Sequence, residues 1–257
     1  MGRGSIALGL LLIVVIVLIV NLRAVSECTL PIVSVPIIAA FKTAYGVDLQ
    51  ECKRTSIWDY QCLNDFFTRE LSPYARQLDD GIVSPVDGRI EQSGVVEEGL
   101  LMQAKGKLFS LDELVGTSAS ETFDGGLYAT LYLAPHNYHH VHMPLAGRLL
   151  ATHKITGRSL PVNMLAINNV NGLYTQNERV VMLFDSGAGL FIMVLVGALF
   201  VDSIDYATEK RVYGKGEDVG KFNFGSTVVL ILSPELTEGM QVAGKKIVCM
   251  GDAIVTS

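Results

Sequence analysis

Residues 222–232 read Phe-Asn-Phe-Gly-Ser-Thr-Val-Val-Leu-Ile-Leu. From Thr227 onward the run is β-branched or aliphatic without a polar break, the pattern of a strand buried on both faces. A Gly-Ser pair at the mouth of such a strand is most often a bend or bulge. It also suits intramolecular chemistry. Gly225 has no Cβ to shield its carbonyl or to resist a strained approach by the Ser226 hydroxyl. That hydroxyl needs a base, and the base needs an orienting acid.

Working outward, the whole chain beyond Asp80 has the same texture. Short apolar runs alternate with Gly, Pro, Asn and Asp turns: Gly81-Ile-Val, Arg89-Ile, Tyr128-Ala-Thr-Leu-Tyr-Leu, Val180-Val-Met-Leu-Phe, Leu190-Phe-Ile-Met-Val-Leu-Val and Lys246-Ile-Val-Cys-Met. This predicts a mostly antiparallel β domain over residues 79–257. Upstream the period changes. Residues 34–46 read as a helix ending near Gly46, and 59–71 as a second, amphipathic helix. The predicted fold class is therefore α+β, with a helical segment at 26–78 ahead of the β-rich catalytic domain. Gly214-Lys-Gly-Glu-Asp-Val-Gly has phosphate-loop-like glycine spacing, but no helix follows it.

The 257 residues are 49% hydrophobic, and the mean hydropathy is +0.37. Much of that sits between Gly4 and Leu22, where no residue is charged. As a helix this run nearly spans a hydrocarbon layer of roughly 30 Å. Its length and the poor cleavage site after Arg23 favour a retained single-pass anchor at residues 1–25 over a signal peptide. Arg3 and Arg23 flank it symmetrically, so orientation is undecided. Residues 30–41, interrupted by Pro31 and Pro36, suit an interfacial segment. Net charge is −6, which argues against nucleic-acid binding. Cys28, Cys52, Cys62 and Cys249 show no CxxC pairing and read as reduced thiols.

Four of the five histidines fall within His136-Asn-Tyr-His139-His140-Val-His142. A metal site is one reading. Acid–base work is the favoured one, because no neighbouring carboxylate or cysteine completes a ligand set, and no metal is assigned. Ser84-Pro-Val-Asp87-Gly-Arg is a tight turn whose Asp ordinarily bonds its own backbone. Asp87, His142 and Ser226 together supply an acid, a base and a nucleophile, an order that also occurs in one class of serine hydrolase. An anchored hydrolase without self-cleavage and an anchored β module with a histidine metal site are both open at this point.

Read together, these segments resemble the phosphatidylserine decarboxylase family from about residue 34 to 233. The matching pieces are Asn64-Asp-Phe-Phe-Thr-Arg-Glu-Leu, Ser84-Pro-Val-Asp-Gly-Arg-Ile, Gln103-Ala-Lys-Gly-Lys-Leu-Phe-Ser-Leu, Tyr138-His-His-Val-His-Met-Pro-Leu-Ala-Gly, Gly172-Leu-Tyr-Thr-Gln-Asn-Glu-Arg-Val-Val, Val196-Gly-Ala and Lys215-Gly-Glu-Asp-Val-Gly-Lys-Phe-Asn-Phe-Gly-Ser-Thr-Val. The resemblance implies self-cleavage between Gly225 and Ser226, with Ser226 becoming a covalent pyruvoyl group. Asp87 and His142 are then the acid and base that activate Ser226, with Asp87 holding one tautomer of His142. His139 is the histidine of the decarboxylation step.

The implied substrate is phosphatidylserine in a bacterial cytoplasmic or mitochondrial inner membrane. A related serine lipid or amino acid is the alternative. The implied partners are that phospholipid, the two chains 1–225 and 226–257 held together, and a second copy in a homodimer. The chain departs from the family's usual residues at His136, Asn137, His140, Met164, Asp202 and Phe224.

Overall fold

The computed structural model describes residues 23–104, 106–198, 203–207, 210–244 and 246–256. Among these no helix is long and apolar enough to cross a membrane. The span expected over Gly4–Leu22 lies outside the described residues, which give it no support.

The strands are β1 (Gly88–Val95), β2 (Leu100–Ala104), β3 (Lys107–Ser110), β4 (Leu127–Leu133) and β5 (His140–His142). They continue with β6 (Gly147–Ile155), β7 (Arg179–Asp185), β8 (Leu190–Gly197), β9 (Ile204–Tyr206) and β10 (Val212–Tyr213). The last are β11 (Asp218–Phe222), β12 (Ser226–Leu232), β13 (Gln241–Val242), β14 (Ile247–Val248) and β15 (Val255–Thr256). The main sheet runs β10-β6-β7-β8-β12-β4-β1-β14, antiparallel throughout. The predicted α+β class and antiparallel β body are what is found.

β12 lies inside this sheet. Each residue from Ser226 to Leu232 pairs with β4 on one side and β8 on the other, and all seven are buried. Alternation divides its side chains between two cores. Val228, Leu230 and Leu232 join Leu131, Leu133 and Leu195 beneath a small sheet, β5-β11-β9, which contributes Val141, Val219, Phe222 and Ile204. Val229 and Ile231 join Val194, Val196 and Tyr128 on the other face. That face is covered by the β2–β3 hairpin and by the helices Leu111–Val115, Met164–Asn169 and Leu173–Gln176. Gln103, fully buried, ties the cover together. Its amide donates to the Ile167 and Val170 carbonyls at 2.9 and 2.6 Å and accepts from the Leu173 N–H at 2.8 Å.

The N-terminal segment has its own small core of Ile38, Val47, Leu49, Cys52, Tyr60 and Phe66. The helix Pro31–Tyr45 starts on a proline and stops at Gly46, whose φ of 66° is left-handed, a conformation glycine adopts without Cβ strain. The long helix expected over 59–71 is instead a 3₁₀ turn, Ile57–Asp59, followed by the short helix Leu63–Phe67. Capping explains the break. Ser56 and Asp59 form a capping box on the first turn, and Tyr60 and Cys62 then turn extended. Arg54 grips Asp65 with two 2.7 Å bonds, while Asp65 also accepts the Gln61 N–H at 2.9 Å.

β6 escapes a reading by apolar runs, because its buried, half-buried and exposed residues follow no clean period. Of the run Gly81–Val83, only Val83 makes a bridge, to Ala253.

Candidate active site

Ser226 heads β12 and is fully buried, and its hydroxyl has no hydrogen-bond partner. Gly225 before it has φ +42°, on the left-handed side that non-glycine residues avoid. β5 itself carries His140 and His142, and the loop between β4 and β5 carries His136 and His139. Its turn is closed by Asn137 Oδ1, which accepts the Ala134 N–H at 2.7 Å. Arg69 clamps it from below, donating to the carbonyls of His136 and Asn137 at 2.6 and 2.9 Å. The Phe222 N–H donates to the His139 carbonyl at 3.0 Å, binding the histidine loop to the strand that leads into Gly225. Three rings continue the link. Phe224 stacks on Phe67 at 5.0 Å, and Phe67 lies 3.9 Å from the His139 ring.

The histidines do different things. His139 donates Nδ1–H to the Asn137 carbonyl at 2.8 Å, which leaves the lone pair of Nε2 buried and unpartnered. Burial pushes its pKa down to about 3, because the imidazolium would lose its hydration. His142 donates Nδ1–H to the Gly216 carbonyl at 2.9 Å, and its Nε2 accepts the Tyr138 hydroxyl at 2.9 Å. Burial lowers its pKa too, opposed by the negative charges of Asp218 and Asp87. His140 reaches Asp218 through Nδ1 at 2.6 Å and the Thr68 carbonyl through Nε2 at 3.1 Å, with its ring stacked on Tyr138. The rings diverge. Among the described residues no three His, Cys, Asp or Glu side chains converge to hold a metal.

Asp87 lies beside β5 because the His142 N–H donates to the Pro85 carbonyl at 2.8 Å. Its carboxylate, however, accepts from the Met250 N–H and from Arg76, both at 2.8 Å, and Arg76 also pairs with Glu51. The expectation that Asp87 fixes the tautomer of His142 is thereby corrected. The Gly216 carbonyl fixes it, and the Arg76 guanidinium, a strong charge-assisted donor, occupies the carboxylate. Asp87 reaches His142 through its charge. Among the described residues no hydrogen bond joins Asp87 to His142, or His142 to Ser226.

An apolar cavity of about 280 Å³ opens at Gly225. Phe41 and Tyr45 of the N-terminal helix, Phe67, Tyr132, Pro135, Val162, Asn163 and Phe224 line it. A larger, more open groove beside Ser93–Val96 and Tyr128 contains none of the candidate residues.

A family model described as phosphatidylserine decarboxylase matches residues 63–256. The chain belongs to the phosphatidylserine decarboxylase family. Relatives called phosphatidylserine decarboxylase proenzyme include one from Nitrosococcus oceani, 43% identical over 223 residues, covering 77% of this chain and 73% of the relative. Another, from Acinetobacter baumannii, is 37% identical over 86% of this chain and 85% of its own. A third, from Acinetobacter baylyi, is 36% identical over 90% and 87%.

The family's usual residues are replaced beside this site in ways the contacts absorb. Arg69 holds backbone carbonyls at 136 and 137, so the side chains there can vary without releasing the clamp. His140 bonds a carboxylate and a carbonyl, donor work that an arginine also performs. Phe224 extends the ring stack. Asp202 lies outside the described residues.

Sequence reading missed Phe67, Arg69, Arg76 and Tyr138. The first two sit in the quoted Asn64–Leu71 motif and Tyr138 opens the histidine motif. No spacing rule says which loop each will touch.

Proposed function

We propose that the chain is a proenzyme that cuts itself between Gly225 and Ser226 and then decarboxylates phosphatidylserine through a pyruvoyl group made from Ser226. The observation that carries this reading is the Ser226 hydroxyl. It is buried and unpartnered, adjoins a left-handed glycine and heads a strand paired on both sides.

His142 is the base for the cut. With Nδ1–H committed to Gly216, Nε2 is its basic nitrogen, and it takes the Ser226 proton once Tyr138 turns away. The Ser226 oxygen attacks the Gly225 carbonyl carbon, and the C–N bond breaks to give an ester and a free amine. Elimination releases the Gly225 carboxylate and leaves an enamine, and one water hydrolyses this to ketone and ammonia. Asp87 favours the charged form of His142 across space. Residues 226–257, numbering 257 − 225 = 32, stay in place because β12 is held by β4 and β8.

The residues fit a pyruvoyl group at position 226: the Ser226 hydroxyl is buried without a partner, and the cavity reaches Gly225. Such a group supplies an electron sink for the amine and carboxylate of the substrate. His139 hands a proton to the carbon that loses CO₂. Its Nε2 is unoccupied by protein, and an incoming substrate carboxylate raises its proton affinity.

Residues 79–257 form the catalytic body, and 26–78 face the lipid. Phe41 and Tyr45 join the cavity wall, while Ile32, Met164 and Leu165 are exposed apolar residues on the helices bordering it, and Leu30, just before the first, is exposed too. These features support association with a membrane.

Intact-mass analysis tests the reading. Wild type gives two chains, the shorter one blocked at its N-terminus, and releases CO₂ from phosphatidylserine vesicles. Ser226→Ala stays whole and inactive. Full activity from an uncut wild-type chain ends the proposal.

A further inference from the structure

Gly197, the last residue of β8, lies directly opposite Ser226. Its N–H donates to the Glu178 carbonyl at 3.0 Å and its carbonyl accepts from Asn177 Nδ2 at 3.0 Å. Both groups turn away from β12. The Gly197–Ser226 pair is therefore the non-hydrogen-bonded kind, in which opposed residues approach most closely and share a face. A Cβ added at Gly197 would lie 2.6 Å from Ser203 Oγ. The Ser203 hydroxyl thus fills the space that a side chain opposite Ser226 would otherwise take.

Ser203 is 1% exposed, and its Oγ has no hydrogen-bond partner. The Ser226 Oγ is in the same condition. A buried hydroxyl left unpaired is destabilising, so two of them flanking one glycine call for an explanation. The backbone adds a second tie. The Ser203 carbonyl accepts the Asn223 N–H at 2.7 Å, three residues before Ser226, so Ser203 is anchored to the segment that is cut. The Ser203 hydroxyl thus lies on the face that Gly197 and Ser226 share, and staggered χ1 wells are open to each serine.

We propose that Ser203 is a positioning residue for the self-cleavage, donating a hydrogen bond to Ser226 Oγ, which leaves the Ser226 proton for His142 and turns the remaining lone pair onto the Gly225 carbonyl carbon. The inference rests on the self-cleavage reading above. No bond to Ser203 is made or broken.

The full-length chain is synthesised in a pulse and the uncut fraction followed by intact mass, for wild type, Ser203→Ala and Ser203→Cys. Thermal unfolding is measured for each change on the Ser226→Ala background, where no cut occurs. Misplacing a nucleophile slows reaction by up to roughly a hundredfold. Ser203→Ala is expected to cut at least about tenfold more slowly, with an unfolding midpoint equal to or above its parent, since removing an unpaired hydroxyl relieves a cost. Ser203→Cys, close in size but a weak donor, slows the cut as well. Wild-type rates in Ser203→Ala, or slowing matched by a clear fall in its midpoint, overturn the assignment. If the alanine variant does not fold, a folded cysteine variant that cuts normally overturns it equally. A wild-type chain that never cuts removes the self-cleavage reading instead.

Discussion

The Tyr138 hydroxyl donates to Nε2 of His142 at 2.9 Å, capping the nitrogen that the Gly216 carbonyl makes basic. In the uncut chain the proposed base is therefore held in the right tautomer with its lone pair occupied.

Tyr138→Phe removes that cap with little change in shape. One hydrogen bond is worth about 1 kcal/mol net, or roughly fivefold in rate. The variant is expected to cut at least as fast as wild type and up to about that factor faster, whereas His142→Asn stays whole. Time courses of precursor loss decide it. Arrest in Tyr138→Phe makes the phenol part of the proton route.

Arg76 is the charge partner of Asp87, and both side chains are about nine-tenths buried. Removing one member of such a pair strands the other and costs about 3 kcal/mol. Urea unfolding of Arg76→Met on the Ser226→Ala background should register that loss, and adding Asp87→Asn should return part of it. If the double change is no better than the single one, the ion pair is not what stabilises this corner.

Gly225→Ala places a Cβ at φ +42°, where the left-handed backbone costs roughly 1–2 kcal/mol. It also shields the carbonyl under attack. Lower stability and a longer precursor half-life are expected together. An alanine variant that cuts at the normal rate means that glycine is not required for the approach.

His139 drops from an ordinary 6.5 to about 3 in the fold. Between those values the unfolded chain binds a proton that the folded ring refuses, so stability falls as pH drops from about 6.5 toward 3. The slope from this one ring is at most about 1.4 kcal/mol per pH unit. Denaturant titrations of Ser226→Ala at pH 7, 6 and 5 should show the decline, and His139→Gln should flatten it. An unchanged slope in the variant places the proton uptake elsewhere.

Much of this was legible in the chain. Thr227–Leu232 reads as a doubly buried strand because unbroken β-branched and aliphatic residues leave neither face for water, and β12 has that position. Gly225, Ser226, Asp87 and the histidines stood out as candidates by residue type, and their roles were carried over from the family resemblance. β6 did not stand out, since a half-exposed strand with a register shift between Leu149 and Ala151 carries no clean period. The broken helix at 57–67 was hidden for a different reason. The extended link between its two turns is bracketed by the Arg54–Asp65 pairing, eleven residues apart.

The sequence by itself determined the α+β class, the family and which side chains are chemically able to act, since period, composition and motif are local properties of the chain. Tertiary structure alone decided who holds whom. It gave Asp87 to Arg76, His142 to Gly216 and Tyr138, and set Ser203 across Gly197 from Ser226. Hydrogen bonds form over about 3 Å in space, and residues brought that close here lie up to 174 positions apart in the chain, as Asp79 and Ala253 do.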